Sequence, residues 1–203
     1  MKPNDRCSPP WNSVEEMVHA YQRRLSTGLA VHELFYYRDA IQYNRKLSAY
    51  GSILRSLGKS VGSLLDVGCG TGSLLRFYTP ADNYLGVDVT SELVMIARKM
   101  YPSHDFIAID VHDAELPVYN TVTLVGAMGT SPRPMDLLRR TSCLALTHLV
   151  FDYLPSTGSA AGLRWLRTIQ PQAIEDLLAR QGWTVARNVR IGSSAIVLVC
   201  KRR

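Results

Sequence analysis

An apolar tetrad, Leu64-Leu65-Asp66-Val67, runs straight into three glycines at alternate positions, Gly68, Gly70 and Gly72, and then into Ser73-Leu74-Leu75. Glycine reaches backbone angles closed to other residues, and it lacks the Cβ that would hold a ligand off the chain. The run predicts a buried strand, a tight turn and a helix from about Ser73. A helix starting there would aim free N–H groups at whatever lies on the turn. The spacing G-x-G-x-G differs from the dinucleotide fingerprint G-x-G-x-x-G, and no Gly-Lys-Ser/Thr follows as in a phosphate loop. Asp66 would oppose a pyrophosphate. It suits a ligand that carries an ammonium group.

The texture on either side of this turn differs. Before it, residues 12–27 read as a helix capped by Asn12 or Ser13, with Glu15 and Glu16 in the first turn. Residues 31–57 read as a second helical region, broken near Tyr50-Gly51 and capped by Gly58. From Ser63 onward, short apolar strands alternate with helical stretches. Strands are expected at Ser63–Val67, Tyr84–Val87, Phe106–Ile109, Thr121–Val125 and Leu144–Phe151, with a terminal pair, Trp183–Arg190 and Ala195–Cys200, joined by Gly192-Ser193-Ser194. Helices are expected at Ser91–Met100, Met135–Arg140 and Pro171–Gln181. This alternation predicts an α/β fold, a doubly wound, mostly parallel, seven-stranded Rossmann-like sheet with one antiparallel strand and an N-terminal helical extension. The expected division is residues 1–60 as a helical lid or extension and residues 61–203 as the ligand-binding domain. In such sheets ligands bind at the carboxyl ends of the strands, at the topological switch point.

Composition narrows the class. The 203 residues suffice for one well-buried core. No apolar run approaches the roughly 20 residues that span a bilayer. Met1 to Trp11 is polar and lacks an apolar signal core, so the expected location is cytoplasmic. Cys7, Cys69, Cys143 and Cys200 are scattered, so neither a metal site nor a disulfide framework is expected. The net charge is +6, with cations spread along the chain and one dense run, Lys201-Arg202-Arg203. That charge fits an anionic partner such as RNA, and equally a solvated surface.

Asp66-Val67-Gly68-Cys69-Gly70-Thr71-Gly72 resembles motif I of the class I S-adenosylmethionine (SAM)-dependent methyltransferases. The resemblance extends over roughly residues 60–203. It implies a SAM cofactor lying on Asp66, Gly68, Cys69, Gly70 and Gly72. It implies that Asp88, closing the second strand about 20 residues on, holds the ribose hydroxyls, with Val89 beside the adenine. It places Asp110 and the Val111 backbone at the adenine, although Asp113 in Asp113-Ala114-Glu115-Leu116-Pro117 also matches that position. Gly126, after the fourth strand, gives close approach to the methionyl part. Tyr37 and Arg45, in an aromatic and cationic N-terminal stretch, are the candidates to reach the donor carboxylate or the acceptor.

The resemblance implies methyl transfer to a small-molecule acceptor. An RNA or nucleotide methyltransferase and a non-catalytic SAM-binding subunit are the alternatives. The glycine spacing and Asp66 oppose an NAD-dependent oxidoreductase, and no N/D-P-P-Y/F/W grip for a nucleobase amine follows Gly126. No general base is named by the sequence. His148 reads as a core histidine, His32, His104 and His112 as surface residues, and Asp152 and Tyr153 follow the fifth strand toward the acceptor side.

Overall fold

Leu64–Val67 forms β1, and all four of its residues are buried, as a central parallel strand requires. The structure, a computed structural model, describes residues 11–37, 39–80, 82–156, 167–191 and 195–203. Cys7, Arg38 and the expected Gly192-Ser193-Ser194 turn lie outside the described residues. The strands in chain order are β1, β2 (Tyr84–Asp88), β3 (Asp105–Ala108), β4 (Tyr119–Leu124), β5 (Ala145–Pro155), β6 (Thr168–Ile169), β7 (Trp183–Ile191) and β8 (Ala195–Arg202). Their order across the sheet is β3-β2-β1-β4-β5-β8-β7, and β6 adds two residues beside β5. β1 to β5 pair in parallel, while β8 runs antiparallel to both β5 and β7. The expected sheet with one reversed strand is present, and its direction of winding switches between β1 and β4.

Strand alternation sends Leu64 to one face and Leu65 and Val67 to the other. On the second face these two pack with Leu124, Leu138, Ile174 and Leu178, from β4, α6 (Pro134–Leu144) and α7 (Pro171–Arg180). On the first, Leu64 meets Tyr50, Leu54, Val94 and Ala97, from α3 (Ala40–Leu57) and α4 (Ser91–Met100). α3 is therefore part of the core and covers a face of the sheet, which is more than the lid or extension that the sequence reading expects. It also runs unbroken through Tyr50-Gly51. A side chain at Gly51 would collide with the Phe77 carbonyl, so this glycine serves close packing and does not end the helix.

Two further expectations fail. After the glycine turn there is only a 3-10 turn, Ser73–Arg76. Tyr78 to Asn83 must then reach β2, and Pro80 lies in the way of further helix. The N-terminal helical region divides into α1 (Val14–Leu25), α2 (Val31–Leu34) and α3. Ser13 caps α1, its hydroxyl accepting from the Glu16 N–H at 3.1 Å. Between α2 and α3, Tyr36 adopts φ 63°, a left-handed backbone that a bulky residue enters only when its surroundings enforce it. Trp11, Tyr21 and Arg24 pack around its ring and supply that enforcement.

Candidate functional site

The tips of β1, β2, β3, β4 and β5 converge at the carboxyl edge of the sheet. Gly68, Gly70 and Gly72 all take positive φ, so the turn after β1 is built on conformations that glycine alone adopts freely. Its N–H groups are turned inward. Gly68 and Cys69 donate to the Val87 carbonyl at 2.8 and 3.1 Å, and Gly72 donates to the Cys69 carbonyl at 2.9 Å. Gly70 donates to Asp88 Oδ2 at 2.9 Å, and Asp88 Oδ1 accepts from Thr90 N–H at 2.9 Å. The row of free N–H groups expected at a helix start is thus absent at these positions. The Asp88 carboxylate, half-buried at the end of β2, closes the turn instead.

The faces opened by the missing side chains are also partly covered. A methyl group at Gly70 would stand 2.5 Å from the Phe35 ring, one at Gly68 would stand 2.8 Å from Ala127 Cβ, and one at Gly72 would meet Phe106 and Tyr101. Gly72 therefore serves packing against β3. Gly70 is where the N-terminal segment seats itself on the turn. Phe35 stacks on Tyr43 and abuts Tyr21, which in turn touches Trp11. The Trp11 indole donates to the Thr130 carbonyl at 2.8 Å, on α5 (Ala127–Thr130). An aromatic cover thus runs from the glycine turn to the loop after β4. The sequence reading points to an aromatic stretch around Tyr37 and does not single out Trp11, Tyr21, Phe35 or Tyr36 for the site.

Two carboxylates beneath that cover lack a cationic partner. Asp66 is buried and accepts from the Thr123 hydroxyl at 2.8 Å and the Tyr84 hydroxyl at 3.2 Å. Burial raises its pKa to about 7; the two hydroxyls oppose this, and repulsion from Asp88 adds to it. Burial likewise raises Asp88, against the backbone N–H groups that favour its charge. Among the described residues neither acid forms an ion pair. Such a pair of acids suits a ligand that brings positive charge, such as an ammonium or a sulfonium.

The remaining predicted positions separate clearly. Asp110 stands at the tip of β3, beside Asp88, whose carbonyl accepts from Ile109 N–H at 2.9 Å. Its Oδ1 accepts from His112 N–H at 2.9 Å, and Arg133 lies 3.6 Å from Oδ2. Asp113 is exposed. Val89 is half-buried and Val111 buried. Cys69 is buried, and burial raises its thiol pKa well above the usual range.

Gly126, φ 82°, opens α5 at the tip of β4. Its N–H donates to Asp152 Oδ1 at 2.8 Å. Asp152 also accepts from the Tyr50 hydroxyl at 2.7 Å and from Lys46 Nζ at 2.7 Å. Burial works against the Lys46 ammonium, but Asp152 and Tyr37 outweigh it and its pKa is raised. Tyr37 does reach the site, through Lys46. Arg45 does not, because it lies on the exposed side of α3. Neighbours on a helix point about 100° apart, so Lys46 occupies the inward position that Arg45 was expected to fill. The missed signal was a charge inside the stripe Tyr43, Leu47, Tyr50, Leu54. Tyr153 is buried, and His148 is buried too, its Nδ1 without a partner among the described residues. No group of three or more His, Cys, Asp or Glu among the described residues is placed to hold a metal ion.

Residues 64–142 match the family model described as a methyltransferase domain. Over 87 residues the chain is 31% identical to dTDP-3-amino-3,4,6-trideoxy-alpha-D-glucopyranose N,N-dimethyltransferase of Streptomyces venezuelae; the match spans 42% of this chain and 37% of that relative. Magnesium protoporphyrin IX methyltransferase from Synechocystis PCC 6803, solved with bound SAH, superposes with a TM-score of 0.74 at 17% identity, covering 92% of this chain and 99% of that one. The cyclase SpnF superposes with a TM-score of 0.64 at 15% identity, covering 76% of this chain and 80% of its own. Residues 64–142 thus resemble a methyltransferase domain, and the chain shares the Rossmann-like fold of the solved methyltransferase on which it superposes.

Proposed function

We propose that the chain is a SAM-dependent methyltransferase that acts on a small-molecule acceptor. The observation that carries this reading is the glycine turn closed by Asp88 at the switch between β1 and β4, beside a second uncompensated acid, Asp66. In this reading Asp88 takes the ribose hydroxyls, and Asp110, Val89 and the Val111 backbone frame the adenine. Asp66, Gly68, Cys69, Gly70 and Gly126 line the methionyl side, while Gly72, expected there too, packs against β3. When bound, the donor supplies a methyl group already activated on a sulfonium. The residues of this chain then align the acceptor and exclude water.

Residues 1–60 act as the cover and residues 61–203 as the donor-binding domain. The aromatic run from Trp11 through Tyr21 to Phe35 supports that division. Asp152 accepts hydrogen bonds at both oxygens, which ties it to Lys46, Tyr50 and the Gly126 backbone.

The strand register argues against RNA as the substrate. Lys201 pairs with His148 and Arg202 with Trp183, which puts the basic run at the opposite edge of the sheet from the tips. Among the described residues no helix is long and apolar enough to cross a membrane. A cytoplasmic location is the reading we adopt.

The likeness to SpnF leaves the reaction open on fold alone. The test is incubation with methyl-labelled SAM and a panel of small metabolites. Label is expected in a small product together with stoichiometric S-adenosylhomocysteine. Binding of SAM with no label transferred to any acceptor would support the non-catalytic alternative.

A further inference from the structure

Charge is unevenly placed along the chain. Lys and Arg number 23, and Asp and Glu number 17. Six of the cations, Arg180, Arg187, Arg190, Lys201, Arg202 and Arg203, fall in residues 177–203, which hold no acid. The other 17 cations equal the 17 acids, so the whole net charge of +6 resides in this terminal segment. It folds as the end of α7 and the strand pair β7 and β8. None of the six forms an ion pair among the described residues.

β7 closes the sheet and pairs with β8 alone among the described residues. Three strands, β4, β5 and β8, separate it from β1 and the glycine turn. Its outer edge offers backbone N–H and C=O groups to a further strand. A register shift between Val185 and Arg187 interrupts the ladder, which leaves Arg187–Ile191 as the regular stretch of that edge. Arg187 and Arg190 are both exposed. Arg187 lies on the α3 side, its Nη1 donating to the Ser56 hydroxyl at 2.7 Å. Strand alternation puts Arg190, three residues on, on the opposite side. A cation thus flanks the edge on each face.

Charge on an edge strand deters pairing with a like strand. A second copy of β7 would set arginine against arginine, which is destabilising. An acidic strand is attracted by the same charges. Single-stranded nucleic acid is a poorer match, because it needs an open aromatic ring for base stacking. Trp183, the one aromatic residue of the strand pair, is 1% exposed and lies under the Arg202 guanidinium. A lipid surface would use the charge and leave the strand edge unused.

We propose that the β7 edge at Arg187–Ile191 is a docking site for an extended, acidic segment of another protein. The segment adds to the sheet as a strand and sets carboxylates against Arg187 and Arg190. The proposal does not depend on the methyl-transfer reading.

The probe is the peptide Thr-Glu-Val-Thr-Glu-Val, whose glutamates have the spacing of Arg187 and Arg190. Fluorescence anisotropy at low salt measures its binding to the full chain, and amide hydrogen exchange locates it. Saturable binding that slows exchange in β7 is expected, with a loss of roughly tenfold or more in R187E/R190E. A peptide with the same side chains but N-methylated backbone amides should also bind roughly tenfold or more weakly. Arg190→Ala keeps the Arg187–Ser56 hydrogen bond and should give a smaller loss in the same direction.

Equal binding of the methylated peptide would show that charge alone acts, and it overturns strand addition. Unchanged affinity in R187E/R190E, or no binding by the wild type, overturns the site. Binding of poly(U) RNA or phosphatidylserine vesicles without binding of the peptide overturns the choice of partner. So does a dimer in solution whose formation protects the β7 amides.

Discussion

Asp66→Asn is expected to change the way stability depends on pH. In the folded chain burial holds the Asp66 pKa at about 7, against an ordinary 3.8. The folded state therefore keeps a proton that the unfolded state releases, and stability falls as pH rises from about 4 to about 7. Three units correspond to about 4 kcal/mol, an upper figure fully developed above pH 7. Asp88, also raised, acts in the same direction. His148 acts in the opposite one, because burial, with Lys201 adding, lowers its pKa and its contribution is lost as pH falls.

Comparison of variant with wild type isolates Asp66. Near pH 4 the variant loses one hydrogen bond to Thr123 or Tyr84 and should be less stable by about 1 kcal/mol. At pH 8 the order should reverse, with the variant more stable by about 3 kcal/mol. Urea unfolding at pH 4, 6 and 8 measures this. A constant difference across that range refutes the assignment of an uncompensated acid. Saturating S-adenosylhomocysteine, which carries an ammonium, should flatten the wild-type curve.

Asp88→Ala should weaken S-adenosylhomocysteine by roughly a hundredfold or more, because two charge-assisted hydrogen bonds are lost with it. The chain should stay folded by circular dichroism; normal affinity would remove the ribose assignment. Arg45→Ala should leave that affinity within about twofold, since Arg45 faces solvent. Gly51→Ala should destabilise by about 1–3 kcal/mol in urea, even though helix propensity alone favours alanine there by roughly 1 kcal/mol. Added stability would show that the Phe77 carbonyl can move aside.

The sheet and the glycine turn were legible because strand alternation and glycine spacing are local properties of the chain. The end-strand acids Asp88 and Asp110 were legible for the same reason. The inward turn of the N–H groups was not, because it depends on β2 supplying the Val87 carbonyl and the Asp88 carboxylate across the sheet. The short element after Gly72 was hidden as well. Ser73-Leu74-Leu75-Arg76 has good helix formers, and Pro80 together with the reach to β2 stops them. Arg45 and Lys46 are equivalent by composition, and the helix phase that separates them is set by Tyr43, Leu47 and Tyr50 against the core. The left-handed Tyr36 has no local signal, since the packing of Trp11, Tyr21 and Arg24 imposes it.

Crystals grown with S-adenosylhomocysteine give the most direct measurement. The account predicts adenosyl density at the tips of β1 and β2, with the Asp88 carboxylate on the ribose hydroxyls. It also predicts Phe35 shifted from Gly70 or laid along the ligand. An adenosyl group bound elsewhere, with Asp88 still held only by Gly70 and Thr90, would contradict it.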